Sequence, residues 1–240
     1  MLKINELSVK IDGKNILNNI SIELDLSNII ALLWPNWSWK TTLLKSIMWL
    51  IKSKWSIIFN WENINWKKIY NISRMWIWYI MQEVPEYFWI KIYDYIKNIL
   101  DLEKKFDEYK ISYYFDLFWL DWEFYKNRHF NANLSWWEKK KIEIITTFLL
   151  DKDIYLLDEI ESFLDVTSRQ ILLKIIKDLK KDWKSFILVS HNEEIISIAD
   201  SAILLCNWQI KIKWKTDELL KLYTNKCKWC DFIKDKCKIV

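Results

Sequence analysis

The 240-residue chain has almost no glycine, a single residue at Gly13. Globular proteins use roughly 7% glycine, or about 17 in a chain this long. A collagen-like repeat and a Gly/Ser linker are therefore excluded. Proline occurs only at Pro35 and Pro85, which excludes a Pro-rich low-complexity chain. Arginine is confined to Arg74, Arg128 and Arg169, so the net charge of +4 rests almost wholly on lysine. With Ile, Asn and Lys all abundant, this reads as AT-rich codon bias, and direct nucleic-acid binding is not expected. Runs such as Lys139-Lys140-Lys141 are expected to be solvated faces. No uninterrupted apolar run approaches the ~18 residues of a membrane span, so no transmembrane segment is expected. The N-terminus alternates like a strand and lacks the apolar stretch and cleavage site of a secretory signal. The cysteines Cys206, Cys227, Cys230 and Cys237 read as thiols or ligands rather than a disulfide framework. The expected location is the cytoplasm.

Tryptophan is in excess, at 18 residues. The two anomalies offset each other, since Trp and Gly together make an ordinary glycine count with a few tryptophans. Most Trp are therefore expected to stand where the cellular protein has glycine, as a genome reading UGA as glycine would produce. On that reading the aromatic content of 17% is inflated and does not mark a stacking surface for nucleic acid. Charged residues at 28% and hydrophobic residues at 52% describe a globular chain rather than a disordered one. The length fits one α/β domain, with or without a subdomain.

Residues 2–11 and 20–26 read as strands around the turn signal Asp12-Gly13-Lys14. Ile29–Leu33 is a continuous aliphatic run, as expected of a buried parallel strand. Residues 40–50 have a helical pattern, residues 56–59 and 76–81 are strand candidates, and the stretch from about 86 to 150 is helical and aromatic. Ile154–Leu157 reads as a short strand, Thr167–Lys181 as a helix with apolar spacing near 3.6, and Phe186–Val189 as a strand. A helix over Glu193–Ala199, a hairpin over 202–205 and 209–213, and a last helix over Thr216–Tyr223 complete the pattern. Strand–helix alternation at both ends of a helical insert argues for an α/β sheet with a helical subdomain.

Residues 34–42 are Trp-Pro-Asn-Trp-Ser-Trp-Lys-Thr-Thr. With Trp read as Gly this is GPNGSGKTT, a full match to G-x-x-x-x-G-K-[ST] between a strand and a helix. The chemistry explains the residue types. Backbone N–H groups at a helix N-terminus face phosphate oxygens, and glycines allow the backbone to come close. Lys40 supplies a point charge to the phosphates, and the Thr41 hydroxyl can ligate Mg²⁺. Residues 134–138, Leu-Ser-Trp-Trp-Glu, become LSGGE under the same rule. One substitution rule thus repairs two separate motifs.

With these motifs the chain resembles the ATP-binding cassette ATPases, whose signature is LSGGQ or close to it. The remaining family motifs follow in order without repair. Gln82 matches the glutamine at the border of the helical subdomain. Ile154-Tyr-Leu-Leu-Asp158-Glu159 matches the Walker B pattern. Ser162-Phe163-Leu164-Asp165 matches the D-loop, with Phe163 as a departure. His191 in Val-Ser-His matches the switch histidine. Each is weak alone, and the ordered set carries the resemblance, which runs from about residue 2 to 222. A further departure is Ile11, where the family often places an aromatic residue against adenine.

The resemblance implies an α/β fold: a P-loop NTPase (RecA-like) core, an N-terminal antiparallel β-subdomain and an inserted helical subdomain. The ATP-binding domain would span residues 1–224, with the helical subdomain over about 86–150 and a short tail at 225–240. The implied cofactors are ATP and Mg²⁺. Trp34, Pro35, Asn36, Trp37, Ser38, Trp39, Lys40, Thr41 and Thr42 would hold the phosphates of one nucleotide. Ser135, Trp136 and Trp137 would reach the nucleotide of a second copy. Thr41, Asp158 and Gln82 would attend Mg²⁺, Glu159 would be the general base, and Gln82 and His191 would assist at the γ-phosphate. The implied activity is ATP hydrolysis by a head-to-tail pair of domains, a homodimer, that drives a partner.

That partner is either a membrane permease, which would bring the chain to the membrane, or a soluble scaffold. The second option rests on closer likeness to the Suf-type ATPase of iron–sulfur cluster assembly. Glu138 stands where transporters usually have Gln, Lys141 stands where Arg is common, and Glu143, Arg128, Asn131 and Leu157-Asp-Glu-Ile-Glu-Ser-Phe-Leu-Asp also follow that subfamily. A third option, if the tryptophans are real, is a catalytically dead nucleotide-binding-domain scaffold. In the tail, Cys227, Cys230 and Cys237 have metal-ligand spacing at their first pair, with free thiols as the alternative.

Overall fold

The computed structural model describes residues 2–25, 27–33, 39–51, 54–60, 62–65, 67–85, 87, 89–131, 133–206 and 209–215. In chain order the elements are β1 (Leu2–Ile11), β2 (Lys14–Leu24), β3 (Ile29–Leu33), α1 (Trp39–Ile47), β4 (Lys54–Phe59), β5 (Glu62–Asn63), α2 (Ile69–Arg74), β6 (Ile77–Ile80), α3 (Ile92–Asp101), α4 (Glu108–Leu117), α5 (Trp122–Tyr125), α6 (Trp136–Leu149), β7 (Ile154–Asp158), α7 (Val166–Lys181), β8 (Ser185–Val189), α8 (Glu193–Ser197), β9 (Ser201–Cys206) and β10 (Gln209–Lys215). They fall into two units: Met1–Tyr79 with Asp153–Asp158 and Leu179–Val240, and Ile80–Lys152 with Glu159–Asp178.

The first unit holds two sheets. One is antiparallel, with order β2-β1-β4-β5. The other has order β10-β9-β3-β8-β7-β6, with β9, β3, β8 and β7 parallel and β10 antiparallel to β9. β3, β7 and β8 are buried along their whole length, as strands covered on both faces must be. β1 instead alternates, burying Leu2 and Ile4, then Leu7 and Val9 after a register shift. Helix α1 contributes Leu43, Leu44 and Ile47 to the same core as Leu7 and Ile20 of the antiparallel sheet and Ile30, Leu156 and Ile187 of the parallel one. At roughly 1.5–3 kcal/mol for each fully buried aliphatic side chain, this layer fixes the start of α1 beside the end of β3.

The first hairpin is tighter than the sequence pattern predicts. Asp12 and Gly13 have φ +49° and +76°, the signs a two-residue turn of the hairpin type requires. Ile11 therefore pairs directly with Lys14, and β2 begins there rather than near residue 20. β5 and α2 are further elements that the pattern does not signal. The last predicted helix, Thr216–Tyr223, and the tail lie outside the described residues.

The second unit is built on helices α3 to α6. Phe115, Trp122 and Tyr125 bring aromatic faces together, with the Phe115 and Trp122 ring centroids 4.9 Å apart. Tyr95 stacks on Phe130 at 4.8 Å. Asp107 and Asp121 cap α4 and α5 by accepting backbone N–H groups, and Ser135 caps α6. The lysines 139–141 of α6 correct an expectation. They are not a solvated face, since their exposures are 2%, 0% and 4%.

Three helices end in the same way, each with a tryptophan in the left-handed region. Trp49 after α1, Trp119 after α4 and Trp183 after α7 have φ +56°, +58° and +63°. The following residue closes each end by a bond back to the last turn: Leu50 N to Lys45 O at 2.8 Å, Leu120 N to Phe115 O at 2.9 Å, and Lys184 N to Leu179 O at 3.1 Å. This is the helix ending whose left-handed residue is usually glycine. Trp76, after α2, has φ +71°.

Candidate functional site

In the first unit, the carboxyl ends of three neighbouring parallel strands carry the candidate residues. β3 leads into α1, β8 into His191, and β7 ends on Asp158. In open α/β sheets ligands bind at this edge. Trp34, Pro35, Asn36, Trp37 and Ser38 lie outside the described residues, and α1 begins at Trp39. Lys40 is 1% exposed, and its Nζ lies 2.6 Å from Nε2 of His191. A lysine ammonium only donates, so Nε2 accepts, which places the ring proton on Nδ1. Thr41 is half-buried and Thr42 is buried in the first turns of α1. Ser46 Oγ donates to Thr42 O at 2.7 Å, tying the second turn to the first. Asp158 is 1% exposed, and the Tyr79 hydroxyl donates to its Oδ2 at 3.0 Å.

In the second unit, Glu159 is half-buried, with φ +47°. Gln82 Nε2 donates to Glu159 Oε2 at 2.9 Å, although the two residues lie far apart in the chain. Ser162 Oγ closes the following turn on Glu159 O at 2.7 Å. Asp165 accepts from Ser168 N at 2.8 Å and Ser168 Oγ at 2.9 Å. The Ser168 N–H first, and then its hydroxyl and Lys141, hold the Asp165 carboxyl below its ordinary value.

The signature region starts α6. Ser135 and Glu138 form a reciprocal capping box, with Ser135 N and Oγ both donating to Glu138 Oε2 at 2.7 Å. The Tyr125 hydroxyl donates to Oε1, and Arg128 Nη1 lies 3.8 Å from it. Burial alone raises the Glu138 carboxyl, but the hydrogen bonds from Tyr125 and Ser135 outweigh it and hold the group below its ordinary value. The same contact, after desolvation, pushes Tyr125 up to about 12. Trp136 and Trp137 are exposed at the first helical positions. Trp136 stacks on Phe163 at 6.1 Å, and the ammonium groups of Lys139 and Lys141 lie over the Trp136 and Trp137 rings at 4.9 and 4.8 Å.

Two buried lysines were not signalled as site residues. Lys140 Nζ donates to Met81 O at 2.5 Å, to Gln82 O at 3.3 Å and to Glu143 Oε2 at 2.9 Å. Lys141 Nζ donates to Phe118 O at 3.2 Å and lies 3.4 Å from Asp165 Oδ2. Tyr79 and Tyr125 are two more missed partners. No local pattern announces any of them, because all their partners except Glu143 come from other segments of the chain.

The oxygen donors available to a metal, the Thr41 hydroxyl and the Asp158 carboxylate, are hard ligands that suit Mg²⁺. Cys227, Cys230 and Cys237 lie outside the described residues. Among the described residues no group of three His, Cys, Asp or Glu could hold a metal ion.

Residues 17–162 match the ABC transporter family, more than half of the chain, and the chain belongs to that family. An "Uncharacterized ABC transporter ATP-binding protein" of Methanocaldococcus jannaschii is 28% identical over 237 residues, covering 96% of this chain and 95% of the relative. A "Probable ABC transporter ATP-binding protein" of Streptococcus pyogenes is 28% identical over 209 residues, covering 82% and 81%. A solved "ATP binding subunit of ABC transporter" superimposes with TM-score 0.80 over 98% of both chains at 21% identity, which shows the fold. That fold is α/β, a P-loop NTPase core with an antiparallel β-sheet. ATP-binding domains of this family are generally ATPases that use ATP with Mg²⁺. Among the described residues no helix is long and apolar enough to cross a membrane.

Proposed function

We propose that the chain binds MgATP and hydrolyses it as the motor subunit of an ABC system. The observation that carries this reading is the contact of Gln82 with Glu159 at 2.9 Å, which joins two residues that the family resemblance assigns to one site. Thr41 and Asp158 would hold Mg²⁺, which supplies positive charge against the phosphates. Lys40 binds phosphate by charge. Glu159, oriented by Gln82, accepts the proton of the attacking water. His191 places its ring at the γ-phosphate. A second copy, arranged head to tail, brings Ser135 and the N–H groups of α6 to that phosphate, so ATP joins the pair and hydrolysis releases it. In this reading the ATP-binding domain spans residues 1–224, with its helical subdomain over about 86–150.

The same reading requires glycine at 34, 37, 39, 136 and 137 in the cellular protein. The helix endings at Trp49, Trp119 and Trp183 support it independently of the motifs, because that position favours glycine. The partner is a membrane permease, to which the chain binds from the cytoplasm. A second reading, a soluble Suf-type scaffold as the partner, rests on Glu138 standing where transporters usually have Gln. Genes beside this one separate the two: permease genes support transport, and cluster-scaffold genes support assembly. The activity itself is tested by steady-state ATP hydrolysis with the five glycines in place. Mg²⁺-dependent turnover is expected. No turnover in that chain, with or without a partner, would leave only a nucleotide-binding scaffold.

A further inference from the structure

Lys140 is fully buried, at 0% exposure, on the helix that begins with the signature. An ammonium taken out of water carries a heavy desolvation penalty unless its protons are all used. Here its three donors meet three acceptors: Met81 O, Gln82 O and Glu143 Oε2. Two of these are backbone carbonyls of residues 81–85, a segment that follows β6 and belongs to no helix or strand. Such carbonyls have no ladder partner, so an added donor decides where the segment rests. The side chain of that same Gln82 donates to Glu159. An apolar side chain of equal length would fill the space without the charge. The lysine is therefore there for what it holds.

We propose that Lys140 is a positioning residue for ATP hydrolysis, gripping the Met81 and Gln82 carbonyls so that the Gln82 amide reaches Glu159. The inference rests on the ATPase reading above. It also gives α6 a mechanical role. Ser135 caps the helix five residues before Lys140, roughly 7.5 Å along a rigid rod, so a shift at the signature end moves the grip on Gln82.

The test uses the full chain with glycine at 34, 37, 39, 136 and 137. Lys140→Met is expected to lower kcat about tenfold or more while KM for ATP moves less than about twofold. Gln82→Ala combined with Lys140→Met is expected to be no slower than Gln82→Ala alone, since both remove one device. Lys140→Arg, which keeps charge and donors, should recover part of the rate. Hydrogen exchange of the 81–84 amides should accelerate in Lys140→Met and not in Lys152→Met. Lys152 is also a fully buried lysine, paired with Glu103 at 2.8 Å, and serves as the control for losing a buried ion pair. Should Lys140→Met fail to fold, Lys140→Gln, which loses the charge and reach but keeps two N–H donors, is expected to show the same loss of kcat to a smaller degree. Parental kcat in the folded variant, or multiplicative losses in the double variant, would overturn the proposal. A parent chain without turnover overturns the ATPase reading first, and the two failures are told apart by that measurement.

Discussion

Nζ of Lys40 lies 2.6 Å from Nε2 of His191, so the charge proposed to bind phosphate and the proposed switch histidine are in contact. A γ-phosphate would compete with the imidazole for the ammonium. Lys40→Ala is therefore expected to weaken ATP binding at least about tenfold, the scale of one charge-assisted hydrogen bond lost. His191→Ala should leave binding within about threefold and lower kcat instead. Calorimetric titration beside turnover assays separates the two, and equal loss of binding in both variants would refute this division of roles.

Glu159→Gln removes the proton acceptor and keeps the contact with Gln82. Turnover is expected to fall by about 10² to 10⁴. With ATP the variant should elute as a dimer, and with ADP as a monomer. Unchanged turnover would exclude Glu159 as the base.

Glu138 supplies a pH signature. Its folded carboxyl is held below the ordinary 4.5, so its contribution is present above that value. The contribution fades as pH falls through the lower folded value. Glu138→Ala is expected to cost about 1 kcal/mol at pH 7 through loss of the capping box. The gap between parent and variant in urea unfolding should hold between pH 7 and pH 5 and narrow below about 4.5. A gap that widens in acid would contradict the assignment.

The three tryptophan helix ends predict a stability gain. Left-handed backbone costs a residue with a side chain roughly 1–2 kcal/mol, part of which glycine gives back in the unfolded chain. Trp49→Gly, Trp119→Gly and Trp183→Gly together should stabilise the chain by about 3 kcal/mol, read as a higher urea midpoint. Peptide mass spectrometry of the native protein across residues 34–40 decides the same question chemically.

The strand Ile29–Leu33 was legible to the residue, because an apolar run buried on both faces leaves few alternatives. α7 was legible to within one residue from its apolar spacing. The sequence motifs name Lys40, Gln82, Asp158, Glu159 and His191 as candidate site residues, while 34–38 lie outside the described residues. The burial of Lys140 and Lys141 was not legible. A charge run reads as solvated unless its acceptors are known, and these acceptors are carbonyls and carboxylates of residues 81, 82, 118, 143 and 165. The contact of Tyr79 with Asp158 was hidden for the same reason, since it depends on which strands lie at the β7 edge of the sheet.

The helix ends at Trp49, Trp119 and Trp183 also bear on how the protein is made. A domain's net stability is only about 5–15 kcal/mol, so a deficit of about 3 kcal/mol raises the unfolded population more than a hundredfold. In a host that inserts tryptophan at these positions, chaperones and proteases would clear much of the chain before its site was ever assembled. Low yield from such a host is then a reading of three helix terminations, and carries no information about the enzyme.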